Sequence, residues 1–195
     1  MDIHAPIHAF LQQQSITPLP GDIVPFADQQ YMKAGIIPFV REAGEIRYLM
    51  MKPVAKKGAL TPPSFQICKG TRMYLHRGSG WRDMKAGDEP VEGKEPLVVT
   101  ALREGIEEVG LKLEAIASLQ DVGPHKFSSE TTGKNKYMWL FTAELGSAEA
   151  LLPVAEVAHT TAERGWLTLA EFSQTGRIDH RAIISDIENR LLSII

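Results

Sequence analysis

Residues 97–109 place glutamates and apolar residues on opposite sides of one helix. At about 100° per residue, Glu104, Glu107 and Glu108 share a face, because spacings of three and four coincide. Val98, Leu102, Gly105 and Val109 fall roughly opposite. The spacing predicts a helix over about 95–109 that stops at Gly110, since glycine just past the last turn is a common helix end. Such a helix lays one side on a core and projects three carboxylates from the other. Like charges at these spacings cost a few tenths of a kcal/mol per pair, and a hard divalent cation offsets that repulsion. Magnesium takes oxygen ligands, keeps several waters and is commonly shared with phosphates. Arg103 stands beside the cluster, where its planar fork can orient a carboxylate. The competing reading is a solvated acidic face.

The flanking chain supplies strands and a second helix. Residues 34–40 and 46–51 read as a hairpin across the turn Glu42-Ala43-Gly44-Glu45, with Pro38 expected at an edge or a bulge. Residues 65–68 suggest a short strand leading into Lys69-Gly70. Strand-like patterns return at 112–122, 136–142 and 165–168. Residues 179–195 carry Ile183, Ile184, Ile187, Leu191, Leu192 and Ile195 near helical spacing, an amphipathic helix. Residues 6–14 suggest a short helix with Pro6 in its first turn, and 15–30, with three prolines and a glycine, a linker or irregular wrap. Strands and helices alternate irregularly, which predicts an α/β fold with helices on a mixed sheet.

The length of 195 residues suits one domain, with 1–30 as an N-terminal extension and 31–195 as the domain proper. Apolar residues make up 44% and charged residues 23%, ordinary for a globular protein. A net charge of -3 argues against a dedicated nucleic-acid binder, which must neutralise many phosphates. Cys68 is the single cysteine, so a reducing, cytoplasmic setting is expected. No apolar run reaches the ~18 residues that span a membrane, and no secretory signal is visible at the N-terminus.

The run Glu95, seven residues, Arg103-Glu104, then Glu107-Glu108, Gly110 and Leu111 resembles the box of the Nudix hydrolase family. That box reads Gly, five residues, Glu, seven residues, Arg-Glu-aliphatic-x-Glu-Glu-x-Gly-aliphatic. Phe65-Gln66-Ile67-Cys68-Lys69-Gly70 resembles the aromatic-x-x-Pro-Lys-Gly stretch that opens the box in many members. Glu163 to Leu167 resembles the strand that often ends the domain, and His180-Arg181 opens a similar C-terminal helix. The resemblance implies a Nudix-type α/β/α sandwich with a mixed β-sheet. It implies hydrolysis of a diphosphate linkage by attack of water at phosphorus, with Mg2+ as cofactor and Mn2+ as an alternative. Glu104 and Glu108 would be the main metal ligands, Glu107 would complete the set, and the backbone carbonyl of Lys69 would join them. Arg103 would orient the carboxylates and Glu95 would support them from behind. Glu130, Glu156 and Glu163 stand as candidates for the general base. The resemblance leaves a homodimer open.

Three departures matter. Gly70 lies 25 positions before Glu95 where the box has six, an insertion of about nineteen residues. The alternative glycine, Gly87, lies eight positions away and lacks the preceding motif. The insertion, at about 71–94, reads as a long loop with four glycines, and long loops in compact domains are often functional. Its Arg72, Arg77 and Trp81 are candidates to grip phosphates and stack a base, against the plainer reading of a solvated loop packed by its own aromatics. The second departure is Gly105 at the aliphatic position, which weakens a helix by up to about 1 kcal/mol. Cys68 stands where proline is usual and is read as a small buried apolar residue. The partner is expected to be a small organic diphosphate: a dinucleoside polyphosphate, a diphosphoinositol phosphate, a nucleoside-diphosphate sugar or a nucleoside triphosphate. A nucleotide-sensing module without catalysis and a calcium-stabilised domain are the alternatives.

Overall fold

The computed structural model describes residues 3–19, 33–55, 57, 62–76, 80–82, 92–128, 135–153 and 160–194. Along the chain run α1 (His4–Leu11), β1 (Ile16–Pro18), β2 (Lys33–Glu42), β3 (Glu45–Pro53), β4 (Cys68–Thr71), β5 (Tyr74–His76), β6 (Gly80–Arg82) and β7 (Gly93–Lys94). Then follow α2 (Leu97–Val109), β8 (Ile116–Ser128), β9 (Asn135–Leu145), β10 (Thr161–Leu167), α3 (Leu169–Thr175) and α4 (Ile178–Leu192).

Seven strands make one mixed sheet in the order β1-β8-β9-β2-β3-β10, with β4 joining β2 as well. On one side β2 lies parallel to β9. On its other side it pairs with β4 through Lys33–Ile36 and with β3 through Phe39–Glu42. Pro38 is therefore not at a sheet edge, as its missing N–H suggested. It sits in the central strand, in the gap where the partner changes from β4 to β3, so that side of the ladder has no bond for it to break.

Alternation along β2 sorts the core into two layers. Ala34, Ile36 and Val40 face α2 and join Val99, Ala101, Leu102 and Val109, with Ile7 of α1. Ile37 and Phe39 face the opposite side and join Phe172 of α3 and Ile183, Ile184, Ile187 and Leu191 of α4. Burial on both faces explains why the strand reads as a continuous apolar run rather than an alternating one. The expected α/β/α sandwich with a mixed sheet is the architecture found. In α4, Leu192 points outward at 51% exposure, although its spacing suggested the core. Thr168 and Glu171 close a capping box at the start of α3, a helix that the reading of apolar periods passes over.

In α2 the core face is shifted by one residue at its start, with Val99 buried and Val98 half-buried. Gly110 ends the helix at φ 70°, ψ 34°, the left-handed conformation expected of a terminal glycine. Gly105 has a packing reason: a Cβ there would come within 2.8 Å of Ile36 Cγ2 and 3.0 Å of Leu111 Cδ2. Its absence lets α2 close onto β2, and that closeness brings the helix's glutamates down to β4.

The segment around residue 15 does more than connect. Strand β1 runs parallel to β8, pairing Ile16 with Leu119, and α1 packs against α2. The insertion is not the plain loop expected at 71–94. Strands β5, β6 and β7 form a separate three-stranded sheet in the order β6-β5-β7. Strands of two or three residues leave no readable period.

Candidate active site

Glu95 precedes α2 and is fully buried. Burial alone would raise its carboxyl, but the Arg103 guanidinium, the Met73 amide and the Thr100 hydroxyl hold it below the usual range. Arg103 Nε donates to Glu95 Oε1 at 3.0 Å and Nη2 to Oε2 at 3.3 Å. Nη2 also donates to the Thr71 carbonyl at 2.8 Å. Nη1 donates to Glu104 Oε1 at 2.7 Å and to Glu107 Oε2 at 2.9 Å. Arg103 thus touches Glu104 and Glu107 on one side and Glu95 on the other.

Glu104 lies against Gly70, where a Cβ would overlap its carboxyl group. The Lys69-Gly70 stretch and the helix, 34 positions apart between Gly70 and Glu104, thus meet where a larger residue would displace the Glu104 carboxyl group. Burial pushes Glu104 up to about 7; Arg103 pulls against this, and the charges of Glu108 and Glu107 add to it. Glu108 is raised as well, chiefly by burial. Its Oε2 accepts the Lys69 amide at 3.2 Å, so the contact seen here is through the nitrogen of Lys69. The Lys69 ammonium reaches Gln66 Oε1 at 3.3 Å and the Ile67 carbonyl at 3.4 Å. Burial, then Arg177, lowers it to about 8.

Among the described residues no three acidic, histidine or cysteine side chains are gathered closely enough to ligate a metal as they stand. Glu104 and Glu107 converge on Nη1 of Arg103 instead. Each gives one oxygen to the guanidinium, and Glu104 Oε2 and Glu107 Oε1 have no hydrogen-bond partner among the described residues.

The remaining expected residues fall in three groups. Arg77, Glu130 and Glu156 lie outside the described residues. Arg72, within the insertion, is buried at 7% exposure, and its Nε donates to the Glu95 carbonyl. Trp81 is half-buried and stacks on His4, with ring centroids 5.1 Å apart and planes at 19°. Glu163 sits exposed on β10 and pairs with Lys52 Nζ at 2.6 Å. Two positions earlier, the Thr161 hydroxyl donates to the Glu108 carbonyl at 2.9 Å, tying the start of β10 to α2. Cys68 is fully buried and donates its thiol to the Glu104 carbonyl at 3.1 Å. Burial, with Glu108 and Glu104 nearby, holds that thiol protonated, as a core residue and not a nucleophile. His4 and Thr100 belong to the network and were missed. Thr100 lies within the helix, three residues before Arg103, but His4 is 91 positions from Glu95 and carries no local signal.

The fold and this helix together define the Nudix architecture, and solved structures carry the same one. The Nudix domain of Shewanella oneidensis NrtR complexed with ADP ribose superposes with a TM-score of 0.54 at 13% identity, covering 86% of this chain and 94% of that one. A Caenorhabditis elegans Ap4A hydrolase binary complex gives 0.53 at 15% identity, covering 83% and 98%. A Nudix hydrolase structure from Listeria monocytogenes gives 0.52 at 16%, covering 84% and 96%. No family model and no curated protein sequence matches the chain. The chain has the Nudix fold. Among the described residues no helix is long and apolar enough to cross a membrane.

Proposed function

We propose that the chain hydrolyses a diphosphate linkage in a nucleoside diphosphate derivative or related organic diphosphate, with Mg2+ held by Glu104, Glu107 and Glu108. The observation that carries this is the charge balance of the carboxylates. Three of them project from one helix toward one guanidinium and the nearby Lys69 ammonium, and Glu104 and Glu107 each keep an oxygen without a donor among the described residues. Hard oxygens in excess of local positive charge fit a hard divalent cation. Mn2+ suits the same donor set, and the Lys69 carbonyl remains a candidate ligand beside them. When bound, the metal would lower the pKa of water and neutralise phosphate charge.

The protein's own groups supply the rest. Arg103 fixes the rotamers of Glu104 and Glu107 through bonds to one oxygen of each. The Lys69 amide fixes Glu108. Glu163 remains a general-base candidate on β10, next to the strand start that touches α2, with Glu130 and Glu156 as its rivals.

A cleft of about 400 Å³ beside the start of α2 gives the organic part of a substrate a place to lie, lined by Ile16, Pro18, Leu97, Asp121, Trp139 and Phe141. Its Trp139 and the Gly70 under Glu104 both pair with Ala34, from opposite sides of β2. Two strand spacings, about 10 Å, therefore separate the backbone under the aromatic floor from the Gly70 backbone against which Glu104 lies. That spacing suits a substrate with a planar group at one end and a diphosphate at the other. One structural neighbour is an Ap4A hydrolase and another holds ADP ribose. A binding module without turnover is the rival reading, but such a module has no need of Glu104, Glu107 and Glu108 together.

Protons and metal compete for these carboxylates. Glu104 has its pKa raised from 4.5 to about 7 in the folded chain. The folded state therefore holds its proton more tightly than the unfolded one, and this contribution to stability is present below pH ~4.5 and lost as pH rises through about 7. Mg2+ binds the deprotonated form and restores it. Melting measured with and without Mg2+ should show a larger metal-induced rise in Tm at pH 8 than at pH 6. An equal or larger rise at pH 6 would contradict the assignment of Glu104 as a ligand.

A further inference from the structure

The Glu95 carboxylate meets five donors. His4 Nε2 at 2.9 Å and Arg103 Nε at 3.0 Å reach Oε1. The Met73 amide at 3.1 Å, the Thr100 hydroxyl at 2.8 Å and Arg103 Nη2 at 3.3 Å reach Oε2. A carboxylate offers about four lone-pair sites, so Glu95 is saturated. Arg103 is saturated as well, because its five N–H groups meet five acceptors on Glu95, Thr71, Glu104 and Glu107. The Glu95–Arg103 pair has no spare donor or acceptor, so a bond lost on Glu95 Oε1 falls on the guanidinium. His4 supplies one such bond: it is 7% exposed, comes from α1, and has its ring stacked on Trp81 of β6.

We propose that His4 is a positioning residue for the metal-binding carboxylates, acting through Glu95 and Arg103 on Glu104 and Glu107, with Trp81 holding its ring in place. The N-terminal helix and the insertion thereby both become parts of the site. The inference rests on the metal reading of those glutamates. Without the His4 bond, Glu95 Oε1 keeps only the Arg103 Nε–H and draws the guanidinium toward itself. Glu104 and Glu107 then lose the support that sets their direction. Groups one bond behind a metal ligand commonly change metal affinity by about 10- to 100-fold, and His4 acts from further back, so the lower figure applies.

The test is Mn2+ binding to the full chain, followed by electron paramagnetic resonance without substrate, alongside thermal melting. His4→Phe keeps a ring against Trp81 but removes the hydrogen bond, and should weaken Mn2+ binding by about 10-fold. His4→Gln restores a donor and gives up the ring, and should return to within about threefold of wild type. His4→Ala gives the same reading if His4→Phe does not fold. In turnover, the Mg2+ concentration for half-maximal rate should rise with the binding constant, while kcat at saturating metal stays within about twofold. Wild-type Mn2+ affinity in His4→Phe would overturn the proposal, as would a His4→Gln as weak as His4→Phe. Wild-type protein that binds no Mn2+ would overturn the functional reading itself, and this inference with it.

Discussion

Glu108→Gln is expected to lower Mg2+-dependent turnover by about 10²- to 10³-fold, because a metal-bound charge contributes several kcal/mol at the transition state and each 1.36 kcal/mol is about tenfold in rate. The substitution conserves shape. Its side-chain oxygen can still accept the Lys69 amide that now reaches Glu108 Oε2 at 3.2 Å. The charge it removes is one that burial and Glu107 already disfavour. The metal-free variant should therefore melt at or above the wild-type temperature while losing turnover. Steady-state rates and melting curves on the same preparation check both halves. Near-wild-type turnover would remove Glu108 from the metal set.

Arg103→Met should act on stability instead. It keeps an unbranched apolar stem and removes all five donors at once. Glu95, fully buried, would lose its ion pair, and breaking a buried pair costs about 3–5 kcal/mol. For a domain of this size each kcal/mol moves Tm by about 2–4 °C, so a drop of roughly 6–20 °C is expected. Adding Glu95→Gln to the same chain removes the stranded charge and should recover part of the loss, as a double-mutant cycle measures. A single variant melting within a degree or two of wild type would mean that the guanidinium does not hold this network together.

The helix was legible because its signals are local. Three glutamates at helical spacing, apolar residues opposite them and a terminal glycine all lie within fifteen residues of one another, and each constrains the same element. The meeting of Lys69-Gly70 with that helix was legible only through the resemblance, since the contact spans the insertion. Gly105 looked like a helix weakness, and its reason lies in Ile36 on another strand. Pro38 suggested an edge because a lone strand gives no sign of where its partner changes. The small sheet of β5, β6 and β7 is too short for a period to develop. Arg72 read as a phosphate ligand by its charge, yet it turns to the Glu95 carbonyl. His4 was beyond reach in the sequence, since a contact across 91 positions is made by packing rather than by pattern.

A carboxylate helix that does chemistry must cleave a substrate, not only bind one. Incubating the full chain with a panel of organic diphosphates and Mg2+ in 18O-labelled water, with products resolved by mass, tests that most directly. The expected result is cleavage of at least one diphosphate into two phosphorylated products, one of them carrying 18O, and no cleavage once the divalent metal is chelated. Binding of these compounds without any metal-dependent cleavage would contradict it and leave the chain a binding module built on a Nudix fold.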